Sequence, residues 1–276
     1  MKKPAPGRPI VNLRRAYFEC RYGQLHVRTA FPSTGGFDEN VPLLLLHDCP
    51  YSSRLLLPLL TVLGADRSAY GIDTPGYGES DAPPQRPSIA DYAAAIGDFL
   101  DNLRLRRLDV LGHHAGAAIA AELAIARPTA VRRLVCVGLP VHTTQEREAF
   151  GLDPYPRPPA ADGAHLASEW ARAIARHEAD ATPEELGRGV AEALRSGPTG
   201  WWGPAAARQW AAHERLPLVT QETLVLRPKD SLCEATLRGQ RLLKSVEWQD
   251  LPGSGALVLE REAPMIATRV RRFLDR

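Results

Sequence analysis

Lysine is scarce in this chain: only Lys2, Lys3, Lys229 and Lys244 are lysines among 34 basic residues, and the rest are arginines. They are spread among 32 acidic residues for a formal net charge of +2, with no basic stripe and no acidic tail. That balance excludes a polyanionic partner, so no nucleic-acid binding is expected. Cysteine is scarce too. Cys20, Cys49, Cys136 and Cys233 are far apart and none forms a CxxC pair, which argues against a disulfide framework or zinc knuckle and for reduced thiols in a cytoplasm. No run of about 18 apolar residues occurs. The stretch Met1–Ile10 has no apolar segment of the kind an export signal needs, so a soluble, unexported protein with no membrane partner is expected.

What is present is an alternation of strand and helix signals. Length alone allows one domain with an insertion or two modest domains. Residues 1–15 are basic, proline-bearing and aperiodic, and are expected to form an N-terminal arm. Ala16–Cys20 and Leu25–Thr29 flank Arg21-Tyr22-Gly23-Gln24 and predict an antiparallel hairpin. Leu43–Leu46 is a continuous apolar run, as in a strand buried on both faces. Pro42 is compatible with that strand at its first position, where no ladder donor is needed. Ala69–Ile72, Leu108–Leu111, Arg133–Val137, Thr223–Leu226 and Ser245–Leu251 predict further strands. Between them lie helix signals, among them Ser88-Ile89-Ala90-Asp91, which resembles a capping box. This order implies a mostly parallel central sheet flanked by helices, an α/β fold. The rhythm breaks over residues 141–217, where only helices are predicted. They read as a helical cap inserted into an α/β core made of 16–140 and 218–276.

Between Leu108–Leu111 and the helix from Ala117 stands Gly112-His113-His114-Ala115-Gly116. This is the strand–turn–helix context of a nucleophile elbow, G-x-S-x-G, with histidine in the serine position. Three more stretches, His47-Asp48-Cys49-Pro50, Asp73-Thr74-Pro75-Gly76-Tyr77-Gly78-Glu79-Ser80 and Leu224–Asp230, follow the same order as motifs of a known family. Over residues 16–275 the chain resembles the α/β-hydrolase superfamily, in the capped branch of haloalkane dehalogenases and epoxide hydrolases. The resemblance implies an α/β-hydrolase fold and an oxyanion hole from the amides of Cys49 and Ala115. In that family a serine attacks, a histidine takes its proton and an acid orients the histidine. The corresponding positions here are His114 for the nucleophile, Asp230 for the acid and, in Leu251-Pro252-Gly253-Ser254-Gly255-Ala256, Ala256 for the base. Asp48 also replaces the family's glycine, placing a carboxylate beside the hole.

Serine-esterase chemistry is thereby excluded at this site. The expected alternative is that His114 leans into the space left at position 256 and meets Asp230, which fixes its tautomer and raises its basicity. Such a dyad serves as a general base or, less readily, a nucleophile. The function expected is a cofactor-independent enzyme acting on a small hydrophobic or aromatic, polyketide-like molecule by hydrolysis or by lyase, isomerase or cyclase chemistry. The competing reading is an inactive homologue kept as a ligand-binding protein. Asp48, Tyr51, His142, Trp201 and Trp202 are the expected substrate contacts, with Trp170, Trp210 and Phe150 lining the same cavity or docking the cap. His142 is also an alternative base. His113 is expected to pack, His47 to support the oxyanion loop, and Asp73 and Ser80 to brace their own loop. No metal is expected at His47, His113 and His114, because adjacent residues on a turn diverge. The oligomeric state, a homodimer included, is left open.

Overall fold

The computed structural model describes residues 11–33, 40–149 and 159–276; Phe150 and the prolines at 154, 156 and 158 lie outside them. Among the described residues, eight strands form one sheet: β1 (Val11–Cys20), β2 (Gly23–Pro32), β3 (Asn40–Leu46), β4 (Arg67–Ile72), β5 (Leu108–His113), β6 (Val131–Val137), β7 (Glu222–Pro228) and β8 (Val246–Leu251). Their order is β1-β2-β4-β3-β5-β6-β7-β8. β1 and β2 pair antiparallel, as do β2 and β4, and all other neighbours are parallel.

Helices α1 (Leu57–Leu63), α2 (Ile89–Asn102) and α3 (Ala115–Ala126) follow β3, β4 and β5. Helices α4 (Thr144–Ala149), α5 (Ala164–Arg176), α6 (Pro183–Arg195), α7 (Trp202–Gln209) and α8 (Ala212–Arg215) all fall between β6 and β7. Helix α9 (Cys233–Gly239) follows β7, and α10 (Val258–Arg261) and α11 (Ala263–Leu274) follow β8. Leu44 and Leu46 pack with α2 and α3 on one face of the sheet, and Leu43 and Leu45 with α1 and α11 on the other. A strand covered on both sides has no polar face to show, which is why this run reads as unbroken leucine. α2 begins with the predicted capping box, Ser88 and Asp91 each bonding the other's backbone N–H.

Two expectations are corrected. Residues 11–15, expected in a surface arm, extend β1, with Val11 opposite Pro32 and Arg15 opposite Arg28. The partner strand imposes this order where the sequence has no periodicity of its own. Pro42 is the third residue of β3 rather than its first, and it lies where the register with β4 shifts between Asn40 and Leu43. The missing N–H coincides with a break in the ladder, so no bond is lost.

The inserted helices are tied to the core by specific polar contacts. Glu122, buried on α3, accepts from Trp210 Nε1 at 2.8 Å and from Arg215 Nε and Nη2 at 2.8 and 2.7 Å. Ser52 donates to Glu192, Tyr77 donates to the Gly200 carbonyl at 2.9 Å, and Arg261 grips Glu185 at the start of α6. These bonds hold the inserted helices against the carboxyl ends of the parallel strands, where sites of open α/β sheets lie.

Candidate active site

β5 ends at His113 and α3 begins at Ala115, leaving His114 alone on the turn with φ 50° and ψ −110°. A non-glycine residue held there costs about 1–3 kcal/mol, so the surroundings must enforce it. A Cβ on Gly112 would lie 2.2 Å from the Gly116 carbonyl oxygen, and one on Gly116 would lie 2.3 Å from that of Leu46. The two glycines let α3 start directly against β3 and β5, and the turn between them has no room to relax.

The turn carries the His114 side chain to the end of β7. His114 Nε2 lies 2.8 Å from Asp230 Oδ2, and Asp230 Oδ1 accepts from the Leu232 amide at 2.8 Å. The other ring nitrogen, Nδ1, faces Asp48 Oδ2 at 3.3 Å, and Asp48 Oδ1 accepts from the Ala115 amide at 3.2 Å. Gly138, after β6 with φ +69°, makes room for the ring: a Cβ there would lie 2.5 Å from His114 Cδ2. Gly138 is a residue that sequence reasoning missed. Its only signal is a glycine closing a strand.

Electrostatics decide the ring's state. Burial by itself would lower the His114 pKa, but the Asp230 and Asp48 carboxylates outweigh it and raise the pKa to about 10. Burial would raise the carboxyls, but the His114 charge and hydrogen bond bring Asp48 down to about 2 and hold Asp230 below its ordinary range. At neutral pH the site is therefore an imidazolium between two carboxylates. His114 meets Asp230, and in this charged state both ring nitrogens donate, so a lone pair appears only once a proton leaves the ring. The Ala115 amide, expected to stabilise an oxyanion, already holds the Asp48 carboxylate.

His113 does not diverge from its neighbour. The strained turn brings the two rings together, with centroids 4.1 Å apart and planes tilted by 37°, and burial together with the His114 charge lowers the His113 pKa to about 3. His113, His114 and Asp230 bring ligand-type atoms within 4.8 Å of one another. His47 is turned away into a supporting role: its Nε2 accepts from the Thr74 amide at 2.9 Å and its Nδ1 donates to the Asp48 carbonyl at 2.8 Å. Asp73 accepts from His26, Ser53 and Glu79, and the Ser80 hydroxyl donates to the Asp73 carbonyl, which braces the loop as expected.

Two cavities meet at this centre. One, of about 220 Å³, is lined by Asp48, Cys49, His114, Ala115 and His142 together with residues of the insertion. The other, of about 40 Å³, lies at Ala256 and is bordered by Tyr51, His113 and His177. The Nε2 atom of His113 is buried without a hydrogen-bond partner. His113 thus borders the space beside Ala256, while the His114 ring reaches Asp230 beyond the end of β7. Tyr51 borders this second cavity and not the larger one. Trp201 and Trp202 border neither: on α7, Pro204, Ala207 and Arg208 share the pocket side, while Trp201 precedes the helix and lies under the Arg86 guanidinium at 5.5 Å. Trp210 is core, and Trp170 is 38% exposed.

Residues 41–157 match the family model described as the α/β hydrolase fold. The chain is 33% identical over 101 residues to a putative carbamate hydrolase, RutD, of Yersinia enterocolitica, covering 36% of each chain. It is 33% identical over 103 residues to epoxide hydrolase 4 of Mus musculus, covering 36% of this chain and 28% of that one. These matches span about a third of the relatives' lengths. Among solved structures, a hydrolase from Pseudomonas aeruginosa PA01 superposes with a TM-score of 0.75 at 20% identity, over 94% of this chain and 98% of that one. An epoxide hydrolase from Vigna radiata gives 0.73 at 17%, over 95% and 98%. Identity at that level shows a shared fold.

Proposed function

We propose that this member of the α/β-hydrolase superfamily is a cofactor-independent enzyme of a small organic molecule. In this reading His114 and Asp230 handle the proton, and Asp48 is a placeholder at the oxyanion position. The observation that carries the reading is the unequal grip on the ring, 2.8 Å to Asp230 against 3.3 Å to Asp48. The Asp230 side chain is 1% exposed, whereas that of Asp48 is 14% exposed and borders the larger pocket.

A substrate oxygen that replaces Asp48 on the Ala115 amide, with the Cys49 amide beside it, removes one of the two carboxylates that keep the ring charged. The ring's pKa then falls toward the range in which a base works at neutral pH. Nε2 stays on Asp230 while Nδ1 takes a proton from water or from a carbon next to a carbonyl. From carbon, the pair released becomes an enolate with its charge on the carbonyl oxygen. From water, the hydroxide adds to the carbonyl carbon and the C=O pair moves onto the oxygen; its return breaks the bond to the leaving group, which takes the proton from Nδ1. In both cases the amides hold the oxyanion. Neither step needs a serine, so hydrolysis and lyase, isomerase or cyclase chemistry are all open to the dyad.

The test is a panel of esters, lactones and enolisable ketones assayed with wild type and His114→Ala. Product formation abolished by the substitution supports the reading, and product formation unchanged by it overturns the reading. The second reading, a non-catalytic ligand-binding protein, is favoured by one observation: the Ala115 amide is already occupied by the chain's own carboxylate. It predicts ligands that raise the melting temperature without being converted.

A further inference from the structure

We infer that His113, His114 and Asp230 form a binding site for a divalent transition-metal ion of the zinc type, which enters in place of a proton on His114.

Adjacent residues of a regular strand point to opposite faces and cannot share a ligand. His113 ends β5, but His114 sits on the turn with φ 50° and ψ −110°, and that backbone swings its ring back beside its neighbour's. The fold then adds a third donor from just beyond the end of β7. One ligand atom from each of His113, His114 and Asp230 lies within 4.8 Å of the other two, and His114 Nε2 is 2.8 Å from Asp230 Oδ2. Ligands about 2.0–2.2 Å from a tetrahedral zinc ion lie roughly 3.3–3.6 Å from one another, so side-chain shifts of about 1 Å turn the cluster into a coordination shell.

The surroundings are those that a metal-binding histidine needs. Such a ring ligates through one nitrogen and donates the N–H of the other to a carboxylate or carbonyl, while a ligating carboxylate takes a hydrogen bond of its own. His114 Nδ1 faces Asp48 Oδ2 at 3.3 Å, and Asp230 Oδ1 accepts from the Leu232 amide at 2.8 Å. His113 Nε2 is buried without a hydrogen-bond partner, so no protein group competes for that nitrogen. Three protein ligands leave a fourth position to water or to a ligand, and His114 lines the larger pocket, from which either can come. The donor set selects the ion: two imidazoles and one carboxylate suit zinc and its neighbours, whereas magnesium and calcium take oxygen ligands. Uptake is an exchange, in which the proton on Nε2 leaves for solvent and the lone pair it frees bonds to the ion. The chemistry proposed above does not use the ion. With Nε2 on zinc, Nδ1 keeps the ring's remaining proton for Asp48 and cannot act as a base, so zinc inhibits a catalytic His114.

The test is calorimetric titration of the whole protein with zinc chloride in neutral buffer, with magnesium chloride as the comparison. Wild type is expected to take up one zinc ion per chain and no magnesium. Asp48→Asn, which alters the group behind the ligating ring, is expected to weaken zinc binding roughly 10–100-fold, and His113→Ala and Asp230→Asn to weaken it further. No zinc uptake by wild type overturns the inference, as does magnesium binding as tight as zinc. Zinc uptake unchanged in both His113→Ala and Asp230→Asn also overturns it, because the ion then sits elsewhere. Cobalt(II) added to wild type gives a reading that needs no variant to fold. The intense visible bands of a four-coordinate ion are expected, and the weak bands of the hydrated ion alone overturn the inference. Uptake is read without turnover. An inactive protein that binds zinc fails the catalytic reading and keeps this inference, and an active protein that binds none does the reverse.

Discussion

Among the described residues, two histidine–aspartate pairs share one separation. His26 Nδ1 lies 2.8 Å from Asp73 Oδ2, and His114 Nε2 lies 2.8 Å from Asp230 Oδ2. The first pair is enclosed, with side chains 0% and 1% exposed, and Asp73 also accepts the Ser53 and Glu79 amides. The second borders a pocket, and its ring faces another carboxylate through the remaining nitrogen. The separation is the same in the two places although the ring nitrogens differ, so a short histidine–aspartate contact alone does not mark a site. What differs is what the second nitrogen meets: His26 Nε2 is buried without a partner, while His114 Nδ1 meets a loosely held group beside a cavity.

The largest effect that would break this contrast is construction of the triad that the resembling family carries. His114→Ser combined with Ala256→His and Asp48→Gly restores a nucleophile, a base and an open Ala115 amide. It is expected to hydrolyse p-nitrophenyl acetate roughly 100-fold faster than His114→Ser alone, the low end of what a positioned base contributes. Equal rates would mean that the 40 Å³ cavity at Ala256 cannot seat an imidazole facing residue 114.

Next in size is His26→Ala. It leaves the Asp73 carboxylate buried without its ring partner and opens a void, and is expected to cost about 3 kcal/mol in denaturant melts. Activity or ligand affinity per folded molecule should not change. A loss of activity without a loss of stability would show that the two pairs are not different in kind.

Asp48→Asn sharpens the comparison from the other side. With one carboxylate gone, the His114 pKa, followed by the ring's NMR shifts, is expected to fall from its value of about 10. The pH dependence of stability follows from the same shifts. His114 has a folded pKa above its unfolded value near 6.5, so its contribution is full below that value and is lost as pH rises to about 10. Asp48 is depressed, so its contribution is full above about 4 and is lost as pH falls to about 2. Melts from pH 3 to 10 should therefore place the site's greatest contribution near pH 4–6, and Asp48→Asn should reduce both slopes. The smallest effect concerns the tie between insertion and core. Glu122→Gln is expected to cost about 1–2 kcal/mol, because Arg215 loses a bidentate partner but can reach water.

The sheet, the capping box on α2 and the elbow were legible in the sequence because each rests on local spacing: unbroken apolar runs, Ser88 with Asp91, Gly112 with Gly116. The approach of His114 to Asp230 was legible too, since a strand end is a fixed address in this fold. What borders the space beside Ala256 was not: the structure puts His113 there, and Gly138 leaves room for the His114 ring. The protonation state was equally out of reach, because it depends on Asp48 and Asp230 approaching the ring from opposite sides at 3.3 and 2.8 Å. The pocket lining escaped as well. Trp201 and Trp202 stood out by residue type, but helical phase placed Arg208, and the end of α5 placed Arg176. The sequence by itself determined the frame, because a missing side chain at Gly112 and Gly116 is a local steric fact. Only the tertiary structure decided what His114 is, because charge on a buried ring is set by neighbours far away along the chain.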